Sequence, residues 1–410
     1  MRAQRPSSAP ALVLSAIGAV AALSAFACDD DGLLPDPGNG IRLDVGFVYP
    51  DAAPRDAGAR DAAPSPDAAA EDAAAPDAEP ADAGGEPPCV CPTVPSSCAP
   101  PALDSPTFTP GTPAMLEQLF AVMACSDTVL EIAIYEADWD CIVAALAGRL
   151  AADSDLEIHL VFDDQQCPRA GGVLSCALSA LEGHPRVTLI DDARTRYMHH
   201  KLVIADGRQV WVGSANFTRR SFCTDSNDSI VIGDPAMVAA YQAQFRRLFT
   251  DRQFGPQPPA PPSTGAPYSV YFGPVSPIDQ PPAWFNEIID AVNTASTSVD
   301  FLINAWTRPE LAGALIGAQQ RGVVVRGVVS TTYVSEAAPQ AALAAGVPLK
   351  VGAVHNKLLV IDGRRVITGS PNWSQNSWEN NENSLWIETA TIAAAYLAGF
   401  ERVYQSASSP

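Results

Sequence analysis

Positive charge is scarce in this chain: 25 Lys and Arg stand against 46 Asp and Glu, for a formal net charge of −21. A protein that coats nucleic acid draws most of its affinity from clustered Lys and Arg, so that class is excluded, although a small basic cleft is not. Aromatic residues make up 7% of the chain, and no basic run is interleaved with them. Long apolar runs are missing beyond the N-terminus, which excludes a polytopic membrane protein. The 47% hydrophobic content excludes a wholly disordered chain, while the 37 prolines mark long non-helical stretches. At 410 residues the chain has room for two or three domains and a sizeable core.

The one apolar run spans Ala9 to Ala27, follows Arg2 and Arg5, and ends in the small-x-small triplet Ala25-Phe26-Ala27. It reads as a secretory signal peptide over residues 1–27. Cys28 follows at once, and the setting resembles a bacterial lipoprotein signal, which implies lipidation at Cys28; ordinary cleavage after Ala27 is the alternative. The expected location is therefore the cell envelope or the exterior. Residues 50–88 are Pro, Ala and Asp with almost no large apolar side chain, and residues 29–88 carry 15 acidic against 3 basic residues. Such a segment buries too little surface to offset chain entropy, so residues 28–100 are expected to form an extended tether.

After Cys28, eight cysteines remain, all between 89 and 223. In an exported chain an even number points to disulfides, and these would staple the first part of the body alone. Cys89-Val-Cys91 fits no common zinc spacing and has no His nearby.

The body repeats itself. HHKLVIADGRQVWVGSANFT from His199 matches HNKLLVIDGRRVITGSPNWS from His355, pairing His199 with His355, Lys201 with Lys357, Asp206 with Asp362, Gly213 with Gly369, Ser214 with Ser370 and Asn216 with Asn372. Upstream, VLEIAIYEADWDCIVAAL echoes SVDFLINAWTRPELAGAL; each reads as an apolar strand and then a helix, and LEIHLVFDD and GVVVRGVVS supply a further strand. The Pro-rich stretch FGPQPPAPPSTGAP links the two. The expected fold is α/β: a unit over 101–253, a linker over 254–267, and a second unit over 268–410. In each motif an Asp-Gly pair separates two β-branched runs, a strong hairpin signal. Residues i and i+2 of a strand share a face, so His199 projects with Lys201 and His355 with Lys357, while His200 and Asn356 point away. The Gly-Ser-x-Asn turn adds a hydroxyl and an amide, completing half of an anion site.

A lone His on a strand is more often a packed core residue, Asp206 and Asp362 are largely explained by their turns, and Gly213 and Gly369 by turn formation. Recurrence decides against chance: six fixed positions at about one in twenty each arise by accident on the order of 10⁻⁸ per start, and here they occur twice in register. His159 in an apolar strand and His184 beside Pro185 read as structural. Trp306, Tyr333, Trp373 and Trp378 read more readily as core than as lining of a lipid cleft.

The pattern His-x-Lys-x4-Asp-x6-Gly-Ser-x-Asn, present twice, resembles the phospholipase D superfamily over roughly residues 105–405. The resemblance implies two α/β units with pseudo-twofold symmetry, one site built from both motifs, no cofactor and no metal. It assigns His199, Lys201, Asp206, His355, Lys357 and Asp362 to the catalytic motif and Ser214, Asn216, Ser370 and Asn372 to phosphate binding. Glu382 in NNENSLWI matches the family's further carboxylate; in the first unit Asp228 lies one place off and Asn227 aligns with Glu382, so the pairing of carboxylate with imidazole is open. The implied reaction is phosphodiester cleavage through a phosphohistidine, with His199 as nucleophile and His355 as acid and base. The expected substrate is a phospholipid at a membrane surface, handled by a monomer with an internal pseudo-dimer. A nuclease-type activity, which the acidic body disfavours, and a phosphatidyl transfer like that of cardiolipin synthases are the alternatives.

Overall fold

The Asp-Gly pairs reverse the chain as their composition requires. Asp206 and Gly207 have φ of 49° and 61°, Asp362 and Gly363 52° and 60°, and the turns close through Arg208 N–H to Ala205 O at 2.9 Å and Arg364 N–H to Ile361 O at 3.1 Å. Positive φ at both central residues gives the turn whose twist matches a two-stranded ribbon. The protein is seen here as a computed structural model that describes residues 89–95 and 97–410; the leader, Cys28 and the acidic stretch up to residue 88 lie outside the described residues.

Each hairpin sits at the middle of a mixed sheet. The first sheet runs, in spatial order, Thr107–Phe108, Asp228–Ile232, Gln209–Gly213, Lys201–Ala205, Val129–Ile134, Glu157–Phe162 and Val187–Asp191. The second runs Ser263–Gly265, Tyr268–Phe272, Asn383–Glu388, Arg365–Gly369, Lys357–Ile361, Ser298–Ile303, Val324–Ser330 and Leu349–Gly352. From Asp228–Ile232 and Asn383–Glu388 onward the two orders correspond strand for strand, so the α/β duplication holds in three dimensions. In both sheets the last three strands are parallel and the hairpin pairs antiparallel to them. The linker is not all loop, because Ser263–Gly265 pairs with Tyr268–Phe272 across a short turn.

The central strands are apolar on both faces because both faces are covered. Along Lys201–Ala205, Val203 and Ala205 enter a core shared with helices Ala114–Ala124 and Asp140–Ala152. Leu202 and Ile204 face the other way, into a core that also takes Leu358 and Val360 of the second half. That shared core is completed by helices Pro235–Phe249 and Ala390–Ser406, through Met237, Tyr241 and Phe245 and through Ile392, Tyr396 and Phe400. A third core lies behind the second sheet, under helices Ala283–Thr294, Pro309–Gln320 and Ala337–Ala344. Trp306, Trp373, Trp378 and Tyr333 all belong to it, each at most 6% exposed, so they are packing residues. His159 stacks on Phe249 at 4.6 Å, and His184 Nδ1 accepts the Arg186 N–H at 3.2 Å; both serve local structure.

The eight body cysteines pair as Cys89–Cys223, Cys91–Cys141, Cys98–Cys125 and Cys167–Cys176. All four bridges lie in the first half. At about 2–4 kcal/mol per native bridge, reduction should loosen that half selectively. Limited proteolysis after thiol treatment is expected to cut first within residues 89–223 and to leave a fragment of the second half. Equal cutting rates in the two halves would contradict this.

Candidate active site

The two motifs meet where the halves join, and the backbone makes the join. His199 N–H donates to Asn381 O at 3.0 Å and Asn381 N–H to Tyr197 O at 2.8 Å. Symmetrically, Ser226 N–H donates to Ala353 O at 2.7 Å and His355 N–H to Ser226 O at 2.8 Å. Each His-x-Lys segment is thus paired with the chain that follows the other half's motif. His355 also lies against the first motif's turn, with Nδ1 3.1 Å from Ser214 O.

This exchange decides the partner of each imidazole. His199 Nδ1 lies 2.8 Å from the Glu382 carboxylate, both side chains 1% exposed. His355 Nδ1 lies 3.0 Å from Asn227 Oδ1. Asn227 Nδ2 donates to Ser221 O at 2.9 Å and Ser214 Oγ donates to its Oδ1, which fixes the amide so that oxygen faces His355. With acceptors on every side, Nδ1 carries a proton in both rings, which leaves Nε2 as the nitrogen of each that faces the reaction. The expected orienting carboxylate Asp228 does not fill that role. It reaches across the junction into the second half, taking Asn356 Nδ2 at 2.7 Å and Thr368 Oγ1 at 2.5 Å. Burial pushes its carboxyl up, with those two bonds opposing. The one-residue offset explains the difference, since neighbouring strand residues face opposite ways.

The same alternation sends His200 away from the site. Its Nδ1 lies 3.0 Å from Asn383 Oδ1 and its Nε2 3.2 Å from Gln244, and burial pushes the ring down to about 4, so it is neutral. Lys201 and Lys357 share the face of their histidines and are 0% and 3% exposed. Lys201 Nζ donates to His199 O at 2.9 Å and stands 4.8 Å from the centre of the Tyr135 ring. Lys357 Nζ donates to His355 O at 2.9 Å and sits 3.2 Å from His355 Nε2.

The remaining motif residues divide. Asn216 Nδ2 donates to Glu136 at 3.2 Å, and Asn372 Oδ1 accepts the Ala305 N–H at 3.2 Å, leaving its NH₂ on the other side. Ser214 and Ser370, expected to contact phosphate, use their hydroxyl oxygens to accept the N–H groups of Asp228 at 3.1 Å and Asn383 at 3.0 Å. They tie the turn to the next strand. Gly213 and Gly369 are required there because a Cβ on either would stand 2.1 Å from a carbonyl oxygen of that strand.

Asp206 and Asp362, placed with the catalytic group by resemblance, lie at the far end of their strands. Five residues at about 3.3 Å each put them roughly 16 Å from the lysines. Asp206 accepts N–H groups of Asp127, Thr128 and Val129 at 2.7–2.9 Å, and Asp362 those of Ser296, Thr297 and Ser298 at 2.7–3.1 Å. Each anchors the turn that starts the adjacent strand.

Tyr135 and Glu136 were not singled out from sequence. They follow strand Val129–Ile134, whose Ile134 pairs with Lys201, so they come to rest beside the motif; the Tyr135 ring packs edge-on against His199 at 4.8 Å. The available signal was a charged residue directly after an apolar strand.

Burial pushes the Asp206 carboxyl up, but the N–H donors of Asp127 and Val129 outweigh it and bring it down to about 2; Asp362 is lowered in the same way. A carboxylate lowered by folding stabilises above its ordinary titration range near ~3.9, and that contribution is lost as pH falls toward 2. Asp206→Ala and Asp362→Ala should each cost about 1–3 kcal/mol at neutral pH with turnover per folded molecule unchanged. The deficit against wild type should narrow as melts are recorded at falling pH, most of it lost near pH 2 for Asp206 and at lower pH still for Asp362. A variant that melts normally but loses turnover would return these residues to the chemistry.

Comparison with known proteins agrees with this geometry. The family model described as "Cardiolipin synthase, PLD-like domain" matches residues 121–249 and 288–404, one segment in each half. Mitochondrial cardiolipin hydrolase of Xenopus tropicalis is 32% identical over 128 residues, covering 30% of this chain and 61% of that protein. A phospholipase D of Rickettsia bellii is 32% identical over 117 residues, covering 27% and 58%. The chain thus spans less than two thirds of the length of these curated relatives. The crystal structure of phosphatidylserine synthase from Haemophilus influenzae superimposes with a TM-score of 0.55 at 12% identity, covering 74% of this chain and 86% of that one, a likeness of fold. With both motifs in place at the junction of two matched halves, the chain belongs to the phospholipase D-like family.

Proposed function

We propose that this protein is a phosphodiesterase of the phospholipase D kind, which hydrolyses a glycerophospholipid to phosphatidate and free headgroup through a phosphohistidine. The observation that carries the reading is the unequal partnering of two histidines at one junction. His199 rests on a carboxylate and His355 on an amide oxygen and a carbonyl. An imidazole that attacks phosphorus through Nε2 becomes a cation, and the Glu382 charge stabilises that cation. His199 is therefore the nucleophile. His355, protonated at the outset, gives its Nε2 proton to the departing alcohol; it then takes a proton from the water whose oxygen displaces His199 from phosphorus. The phosphoryl oxygens are held by Lys201 and Lys357, whose buried ammonium groups favour an anion, and by the amides of Asn216 and Asn372. The two lysines supply at the phosphate the positive charge that the transition state requires.

The lipid substrate is supported by the names of the relatives, cardiolipin hydrolase and phospholipase D, and by an acidic chain unsuited to nucleic acid. The four bridges suit an oxidising compartment, in keeping with an exported protein. The family model's description favours one further reading, transfer of the phosphatidyl group to an alcohol in place of water.

His199→Ala should abolish turnover and any covalent adduct. His355→Ala should still react with substrates whose leaving group needs no proton, accumulating an adduct on His199, and should lose about 10²–10⁴-fold on ordinary lipids. Mapping a labelled adduct in that variant checks the assignment; an adduct on His355 would reverse it, and full activity in either variant would overturn the site. Product analysis on mixed phospholipids and on single-stranded DNA, with and without glycerol, identifies the substrate. Phosphatidate without glycerol is expected, phosphatidylglycerol would establish transfer, and DNA cleavage alone would overturn the lipid reading.

A further inference from the structure

Beside the motifs the first half holds a second concentration of charge that the phosphodiesterase reading does not use. Strands Glu157–Phe162 and Val187–Asp191 run parallel and adjacent, and each ends in aspartates: Asp163 and Asp164 after the first, Asp192 after the second. One carboxylate oxygen from each of these three residues lies within 4.8 Å of the others. Asp163 is 0% exposed and Asp192 4%.

Part of this charge is engaged by backbone. Asp163 accepts the N–H groups of Gln165 and Gln166 at 3.0 and 3.2 Å and that of Met198 at 2.9 Å, while Asp192 Oδ1 accepts the Asp164 N–H at 3.1 Å. Two oxygens, Asp192 Oδ2 and Asp164 Oδ1, are buried with no hydrogen-bond donor. A buried, unpartnered carboxylate oxygen is among the costlier features a fold carries. The nearby cation Arg194 offsets part of the Asp192 charge but leaves these oxygens without a hydrogen bond, because its guanidinium donates to Phe254 O, Asn381 Oδ1 and Glu379 O.

Duplication does not account for the trio. Ile134, Phe162 and Asp191 lie in one row of the first sheet, and Ile303, Val329 and Val351 in the matching row of the second. Asp163, Asp164 and Asp192 therefore correspond to Ser330, Thr331 and Gly352. The second half builds the same strand ends without any carboxylate.

We propose that Asp163, Asp164 and Asp192 bind one calcium ion, separate from the phosphate site, which braces the segment entering His199. Oxygen-only ligands of full negative charge select a hard cation over zinc. Calcium is preferred to magnesium because the carboxylates are already fixed by backbone and need a ligand shell tolerant of irregular geometry. The bracing follows from the Met198 N–H held by Asp163, one residue before His199.

The full chain, freed of metal with chelator and exchanged into neutral buffer, is titrated with calcium chloride by calorimetry and melted with and without calcium. One calcium per chain and a calcium-dependent rise in melting temperature are expected. Asp192→Asn should weaken calcium binding at least tenfold. In calcium-free buffer this variant should melt no lower than wild type, because a crowded charge has been removed. Should it fail to fold, Asp164→Asn, whose side chain is less buried, carries the same expectation. Absence of calcium binding by the wild-type chain, or undiminished binding by the Asn variant, overturns the site. Magnesium binding as tightly as calcium overturns the choice of ion.

Discussion

The reciprocal pairing of backbone between the halves is the constraint on which the site depends. The segment carrying His199 takes its hydrogen bonds from residue 381, and the segment carrying His355 from residue 226. Neither half can orient its own imidazole. Residues 382 and 227, each one step beyond its crossing point, reach the opposite histidine as a consequence of strand alternation. The shared core, with one helix from each half between the two sheets, holds that crossing in register. Two half-sites become one because each is finished by the other's chain.

Within this symmetric frame the two halves have diverged where symmetry would be unproductive. Two identical histidines would compete for one role. A carboxylate behind one and an amide behind the other make them unequal at a cost of very few residues. The neighbours follow suit: Tyr135 and Glu136 occupy the places of Asn304 and Ala305, giving the first motif an aromatic wall and an extra carboxylate. Below the hairpins, where nothing chemical happens, the halves agree closely, and Asp206 and Asp362 perform the same anchoring task.

Much of this was legible in the sequence. The twofold motif, the Asp-Gly hairpins, the apolar strands and the shared face of His199 with Lys201 follow from periodicity and local chemistry, which act over a few residues. The partner of each imidazole was not legible, because Glu382 lies 183 residues from His199 and Asn227 lies 128 from His355. Local pattern does not encode which half closes onto which. The alignment of Asn227 with Glu382 was the available clue, and it outranked the search for a carboxylate that pointed to Asp228. The motif aspartates show the opposite case: Asp206 and Asp362 recur with the histidines, and their turns and backbone bonds already account for them. The paired aspartates after LEIHLVF and VTLI were visible as charges ending apolar strands, but only the parallel pairing brings them together.

The first stretch of the described chain has a mechanical consequence. Cys89, Cys91 and Cys98 fasten it to Cys223, Cys141 and Cys125, at three separate places on the first half. Any pull exerted through the residues upstream of Cys89 enters the fold through sulfur bonds rather than by peeling a strand from a sheet edge. Hydrogen-bonded strands yield one rung at a time under such peeling, whereas covalent anchors share the load. Cys223 stands three residues before the Ser226 crossing, and the bridges to Cys141 and Cys125 draw part of any such load away from that seam.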